Sequence, residues 1–95
     1  MVVGCGIIRF RLHGCRSLKE KRKITKSIIS RVRNTFNVSI AEIGSNDIYQ
    51  RAEIGFACVG NDTSAVNSKT DKVLNFADDL RLAEIVDSNI EIIQL

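Results

Sequence analysis

The chain has 95 residues, 44% of them hydrophobic and 26% charged, with 14 Lys/Arg against 11 Asp/Glu and a net charge of +3. That is the length and composition of one small folded, soluble domain, spanning residues 1–95. The longest apolar run falls short of the roughly eighteen residues a membrane span needs. The three cysteines, Cys5, Cys15 and Cys58, are odd in number and lack metal or redox spacing, which fits a reducing compartment. The charge is lopsided: residues 1–41 carry ten Lys/Arg and one acid, and residues 42–95 carry four Lys/Arg and ten acids. Such a pattern implies a charged partner or pairing between the two halves.

Residues 2–12 read as a strand, because Ile8, Phe10 and Leu12 alternate with Arg9, Arg11 and His13. The opening MVVGCGIIRFRL has no basic leader and reaches Arg9 and Arg11 too early for a signal peptide, so cytoplasm is the expected compartment. His13 to Arg16 form a turn into a helix over 18–34, with Leu18, Ile24, Thr25, Ile28, Ile29 and Val32 on one apolar arc. Residues 37–43, NVSIAEI, make a second strand, and 44–50, GSNDIYQ, a polar connection. Residues 52–59 make a third strand. Asp62 or Thr63 caps a second helix over 64–82, whose inward stripe is Val66, Thr70, Val73, Leu74, Ala77 and Leu80. The last strand, 84–93, places Val86, Ile90 and Ile92 on one face and Asp87, Asn89 and Glu91 on the other. The order strand, helix, strand, strand, helix, strand predicts an α+β fold, the ferredoxin-like βαββαβ sandwich. Its four-stranded antiparallel sheet runs in the order 4-1-3-2, with both helices on one face.

The most informative stretch is 16–26, RSLKEKRKITK, which holds six of the fourteen basic residues. Ser17-Leu18-Lys19-Glu20 is a capping box: the Ser17 hydroxyl accepts from the backbone at Glu20, and Glu20 reaches back to the N–H of Ser17. A helix start carries partial positive charge, so exposed cations there cost roughly 0.3–1 kcal/mol each. Crowding them there is a local conflict of the kind that accompanies function.

The strings SLKEKRKI, FNVSIAEI, DIYQRAEIGFACVGND and VLNFADDL, in this order, resemble the YlxP-like family of small bacterial proteins, classed as a domain of unknown function. The resemblance covers nearly the whole chain, and segments 17–22 and 50–62 are its most specific parts. It implies the same ferredoxin-like fold. It also implies a neighbourhood, since family members are often encoded among translation genes beside ribosome-binding factor A and an initiation factor. It supplies no catalytic residues. Tyr49 stands where relatives often have Trp, and His13 where they often have Pro.

Several candidate sites follow. Arg16, Lys19, Arg22, Lys23, Lys26 and Arg33 form a basic face on the first helix, suited to phosphate contact with RNA or a ribosomal particle. A solvated charged face is the alternative, and placement against the helix dipole favours the anion. Lys21 points toward the apolar arc and is expected to snorkel to water. Tyr49 is a candidate stacking group in the loop. Arg9 and Arg11 are expected to pair across strands with Asp87, Asn89 and Glu91. Residues 54–59 echo the third-strand motif of RNA-recognition domains, but parity turns Ile54, Phe56 and Cys58 inward, which excludes base stacking on the sheet. Cys15 with His13 lacks a third group for nucleophilic catalysis. No metal-ligand set and no cofactor motif is present. Cys5, Ile7, Gly55, Ala57, Val59, Ile85 and Ile93 are expected on the open sheet face, where a two-fold dimer would form. The expected protein is non-enzymatic and cytoplasmic, and associates with RNA or the ribosome. The rival is a homodimeric protein-interaction or regulatory module without nucleic-acid binding.

Overall fold

The period-two pattern of the first residues becomes β1 (Val2–Arg11), in which Val2, Gly4, Ile8 and Phe10 turn inward and are buried. In the computed structural model, which describes residues 1–95, there follow α1 (Leu18–Thr35), β2 (Ser39–Gly44), β3 (Arg51–Gly60), α2 (Thr63–Asp79) and β4 (Glu84–Gln94). All strand pairs are antiparallel and the sheet order is β2-β3-β1-β4, the expected order read from its other edge. The molecule is the ferredoxin-like βαββαβ sandwich.

One face of the sheet carries the core. Ile8 and Phe10 of β1, Ile40 of β2, Ala52, Ile54 and Phe56 of β3, and Ile28, Val32, Val73 and Ala77 of the helices form one buried cluster. Phe56 is therefore inward, as parity requires, and offers no ring to a base. Val66 and Thr70 of α2 close down on Gly4, where an added Cβ would come within 2.5 Å of Val66. Phe36, at the end of α1, meets Phe76 of α2 edge to face at 5.4 Å between ring centres. The second helix is capped by Asp62, whose carboxylate accepts from the Ala65 N–H at 3.0 Å. It ends at Asp79, before the expected boundary, because Arg81 takes the left-handed conformation (φ 53°) that stops a helix.

Two expectations about facing are corrected. The ladder between β1 and β4 shifts register between Arg9 and Phe10, so Phe10 pairs with Ile85 while Arg9 pairs with Asp87. Val86 is the extra residue of that bulge. The bulge reverses parity at the start of β4: Ile85 packs against the core, and Val86 stands 53% exposed.

The other correction concerns Lys21. It does not snorkel. It is 1% exposed, and its ammonium lies 3.0 Å from a carboxylate oxygen of Glu42 and donates to the Ser45 carbonyl. Glu42 pairs with Ile54 in the ladder, on the core side of β2. Its Oε2 is buried and receives no well-directed hydrogen bond, so the ammonium is the only charge that compensates it. Removing one member of a buried pair strands the other. Lys21→Met is therefore expected to lower the unfolding free energy in urea by about 3 kcal/mol, the low end because Glu42 keeps some water. The double change Lys21→Met, Glu42→Leu should restore most of that loss. Equal losses in the two variants would mean that the pair does not hold α1 to β2.

Candidate anion-binding face

The turn into α1 is built by backbone chemistry. Gly14 takes φ +73°, the left-handed region that glycine enters without strain. Ser17 is extended, and its Oγ accepts from the Glu20 N–H at 3.1 Å. The Glu20 carboxylate reaches one residue further back than the capping-box pattern predicts, accepting from the Arg16 N–H at 2.9 Å. That contact engages the one acid of the helix's first turn with the backbone.

Lys19, Arg22, Lys23 and Lys26 are all exposed. Their spacing of three and four places them together on the outer side of α1. The three ion pairs of the molecule are Arg9–Asp87, His13–Glu84 and Lys21–Glu42, so none of these four cations has a carboxylate within 4.0 Å. The acidic second half does not neutralise them. Arg16 is exposed beside them. Arg33 does not belong to the free set: its guanidinium donates to the Ile40 carbonyl at 3.0 Å and ties α1 to β2. Tyr49 is 41% exposed in the β2–β3 connection. Lys21 holds the start of that connection to α1 through the Ser45 carbonyl.

The remaining candidates separate. Arg9 pairs across the sheet with Asp87 at 2.9 Å and Asn89 at 2.8 Å, as expected, whereas Arg11, expected to pair likewise, has no carboxylate within 4.0 Å. The hydrogen bond to Asp87 raises the Arg9 pKa above its ordinary value. His13 turns to Glu84 at 2.8 Å, whereas Cys15 is buried with its thiol against the Ser17 carbonyl. The thiol and the imidazole thus have different partners. The residue that sequence reasoning undervalued is Lys21. The signal was there: it lies on the apolar arc with Thr25 and Ile28, and Glu42 shares the inward parity of Ile40. Chemically, the outer face of α1 can hold anions by charge and by lysine and arginine donors.

The family model described as "Protein of unknown function (DUF503)" matches residues 3–90. The Bacillus subtilis (strain 168) protein described as "Uncharacterized protein YlxP" is 47% identical over 62 residues, covering 65% of this chain and 67% of its own length. Among solved structures, a mutant of SnoaB, a cofactor-independent oxygenase from Streptomyces nogalater, superposes with a TM-score of 0.53 at 14% identity, covering 98% of this chain and 92% of that one. At that identity the likeness is one of fold alone. No helix is long and apolar enough to cross a membrane.

The His13 contact has a measurable consequence. The hydrogen bond from His13, helped by its charge and that of Arg11, holds the Glu84 carboxyl below its ordinary value of 4.5. A depressed carboxyl stabilises the fold above its unfolded-state pKa and loses that contribution as pH falls through the folded value. Thermal melts below the ordinary carboxylate pKa should therefore fall more steeply with acid in the wild type than in Glu84→Gln. Identical acid limbs would show that the contact contributes nothing in solution.

Proposed function

The chain belongs to the DUF503 family, the YlxP-like proteins, and we propose that it is a non-enzymatic, cytoplasmic RNA- or ribosome-associated binding protein that contacts phosphates through the outer face of α1. The observation that carries this reading is the cluster of Lys19, Arg22, Lys23 and Lys26 near a helix start with no acid paired to any of them. The helix dipole opposes them, and an exposed anion brought to that face relieves both the dipole and their mutual repulsion. Arg16 and the capped helix start assist, and Tyr49 adds a stacking surface on the connection pinned by Lys21. Lysine and arginine contacts of this kind set affinity without reading sequence. The translation-gene neighbourhood of the family agrees with such a partner.

Four phosphate contacts to single-stranded RNA predict a log–log salt slope of about −3. Co-sedimentation with ribosomal particles over graded potassium chloride should show that slope in the wild type. Arg22→Glu with Lys26→Glu should abolish binding at low salt and leave the melting temperature unchanged or slightly raised. Retained co-sedimentation of the double variant would move the contact elsewhere.

A second reading is favoured by the open sheet face. Val59 is 65% exposed and Ile93 37%, both flanking Val3 on the half of that face away from Arg11, and Ile43, 50% exposed, lies over Gly55 nearer the middle. A homodimer joined there would bury them and would serve a protein-interaction or regulatory role without nucleic acid. Sedimentation velocity on Val59→Lys decides it: the wild type should be dimeric and the variant monomeric, and a monomeric wild type at high concentration ends this reading.

A further inference from the structure

The open sheet face changes character along its strands. Val3, Cys5 and Ile7 of β1 face Val59, Ala57 and Gly55 at one end, and Arg9 and Arg11 face Glu53 and Arg51 at the other. Arg11 and Arg51 are direct cross-strand partners, and both are exposed. Like charges directly opposed destabilise a sheet. The register is not indifferent to charge, because the same strand matches Arg9 with Asp87 on its other side.

The acids around this pair accept their hydrogen bonds from other groups, although Glu84 is Arg11's ladder partner on the β4 side and feels its charge. Glu53 accepts from the Ser45 hydroxyl at 3.1 Å. Asp87 accepts from Arg9, and Glu84 is held by His13. Neither Arg11 nor Arg51 has a carboxylate within 4.0 Å. Together with Arg9, Glu53, Ser45 and Val86 they line a cleft of about 180 Å³. Its apolar wall, Val86, is the bulge residue that the register shift swings outward. Bulges re-aim side chains beside functional sites. Arg11 and Arg51 also border the adjoining hollow under the Gly14 turn and the connection at Ile48 and Gln50.

We propose that this cleft binds a small molecule through a phosphoryl group. A carboxylate is satisfied by one guanidinium fork, whereas a phosphoryl dianion accepts from two and cancels the charge of both. A cavity on the order of six water volumes also leaves room for a short organic fragment against Val86. Arg11 has the acid Glu84 as its ladder partner on the β4 side, but Arg51 faces only Arg11, and an anion between the two guanidinia relieves that like-charge contact, the local conflict expected of a binding site. The cleft lies on the sheet face away from α1, so it stands or falls independently of the RNA reading.

The test uses the full chain, with inorganic phosphate as probe and acetate and chloride at matched ionic strength as controls. The guanidinium NMR signals of Arg11 and Arg51 should shift saturably with phosphate, with acetate at least about tenfold weaker and chloride without effect. Arg51→Gln should lose the phosphate response and, relieved of its opposed charge, melt no lower than the wild type. Charge reversal at Arg22 and Lys26 should leave the response intact. Equal shifts with chloride, or a phosphate response that survives Arg51→Gln, would overturn the site. Acetate binding as tight as phosphate would overturn the phosphoryl assignment.

Discussion

The ion pair between Lys21 and Glu42 sets the rotation of α1 about its own axis. With about a hundred degrees between successive residues, a helix that buries Lys21 with Thr25, Ile28 and Val32 turns Arg22, Lys23 and Lys26 to water. The pair's net worth is small, because desolvating two charges offsets their attraction. Its effect is to penalise error. Any other rotation leaves Glu42 buried without a counter-charge, and frees the Ser45 carbonyl that anchors the β2–β3 connection. One inward lysine thereby positions the outward cations and the loop that carries Tyr49.

The two helices of this molecule start in opposite ways. An aspartate caps α2, and its first turn places no lysine or arginine against the dipole. A neutral serine caps α1, whose first turn carries Lys19 and Lys21 and is followed at once by Arg22 and Lys23. Both caps make the expected side-chain contact to the backbone, so local geometry is satisfied equally. The difference is electrostatic, and it is confined to the helix whose acid is drawn back onto the Arg16 amide. Nothing in the packing of α1 needs those outward charges; helix propensity alone would accept glutamate or glutamine at the same positions.

Strand periodicity, helix arcs and cap residues were enough to read the order of elements, and antiparallel pairing with right-handed crossovers led to the sheet order. Phe56 and Cys58 were placed inward by parity alone, and both are buried. Three of the errors share one cause, a partner distant in sequence. The bulge opposite Arg9 and Phe10 exists only in the pairing of β1 with β4, and a parity count within β4 cannot detect it, so Ile85 and Val86 exchanged faces. Lys21 looked like a snorkelling lysine because its counter-charge lies on another element. Arg33 looked free because its acceptor is a backbone carbonyl of β2, which side-chain patterns do not mark. The early stop of α2 comes from Arg81 in a conformation that glycine usually supplies.

The lopsided charge of the chain allowed two outcomes, internal pairing or an external partner, and the acids show how far the first goes. Glu42 is spent on a buried lysine, Asp62 on a helix cap, Glu53 on Ser45, Asp87 on Arg9 and Glu84 on His13. Only Arg9, His13 and Lys21 gain a carboxylate from this, so the second half satisfies its own geometry without neutralising the first. The cations of the first half that remain fall on two opposite surfaces, the outer side of α1 and, with Arg51, the arginine end of the sheet. Folding could have removed either set at little cost, since exposed cations contribute nothing to the core. A chain that matches Arg9 so closely yet leaves Arg11 facing Arg51, and Lys19, Arg22, Lys23 and Lys26 facing water, has its unmatched charge where an anion can reach it from outside.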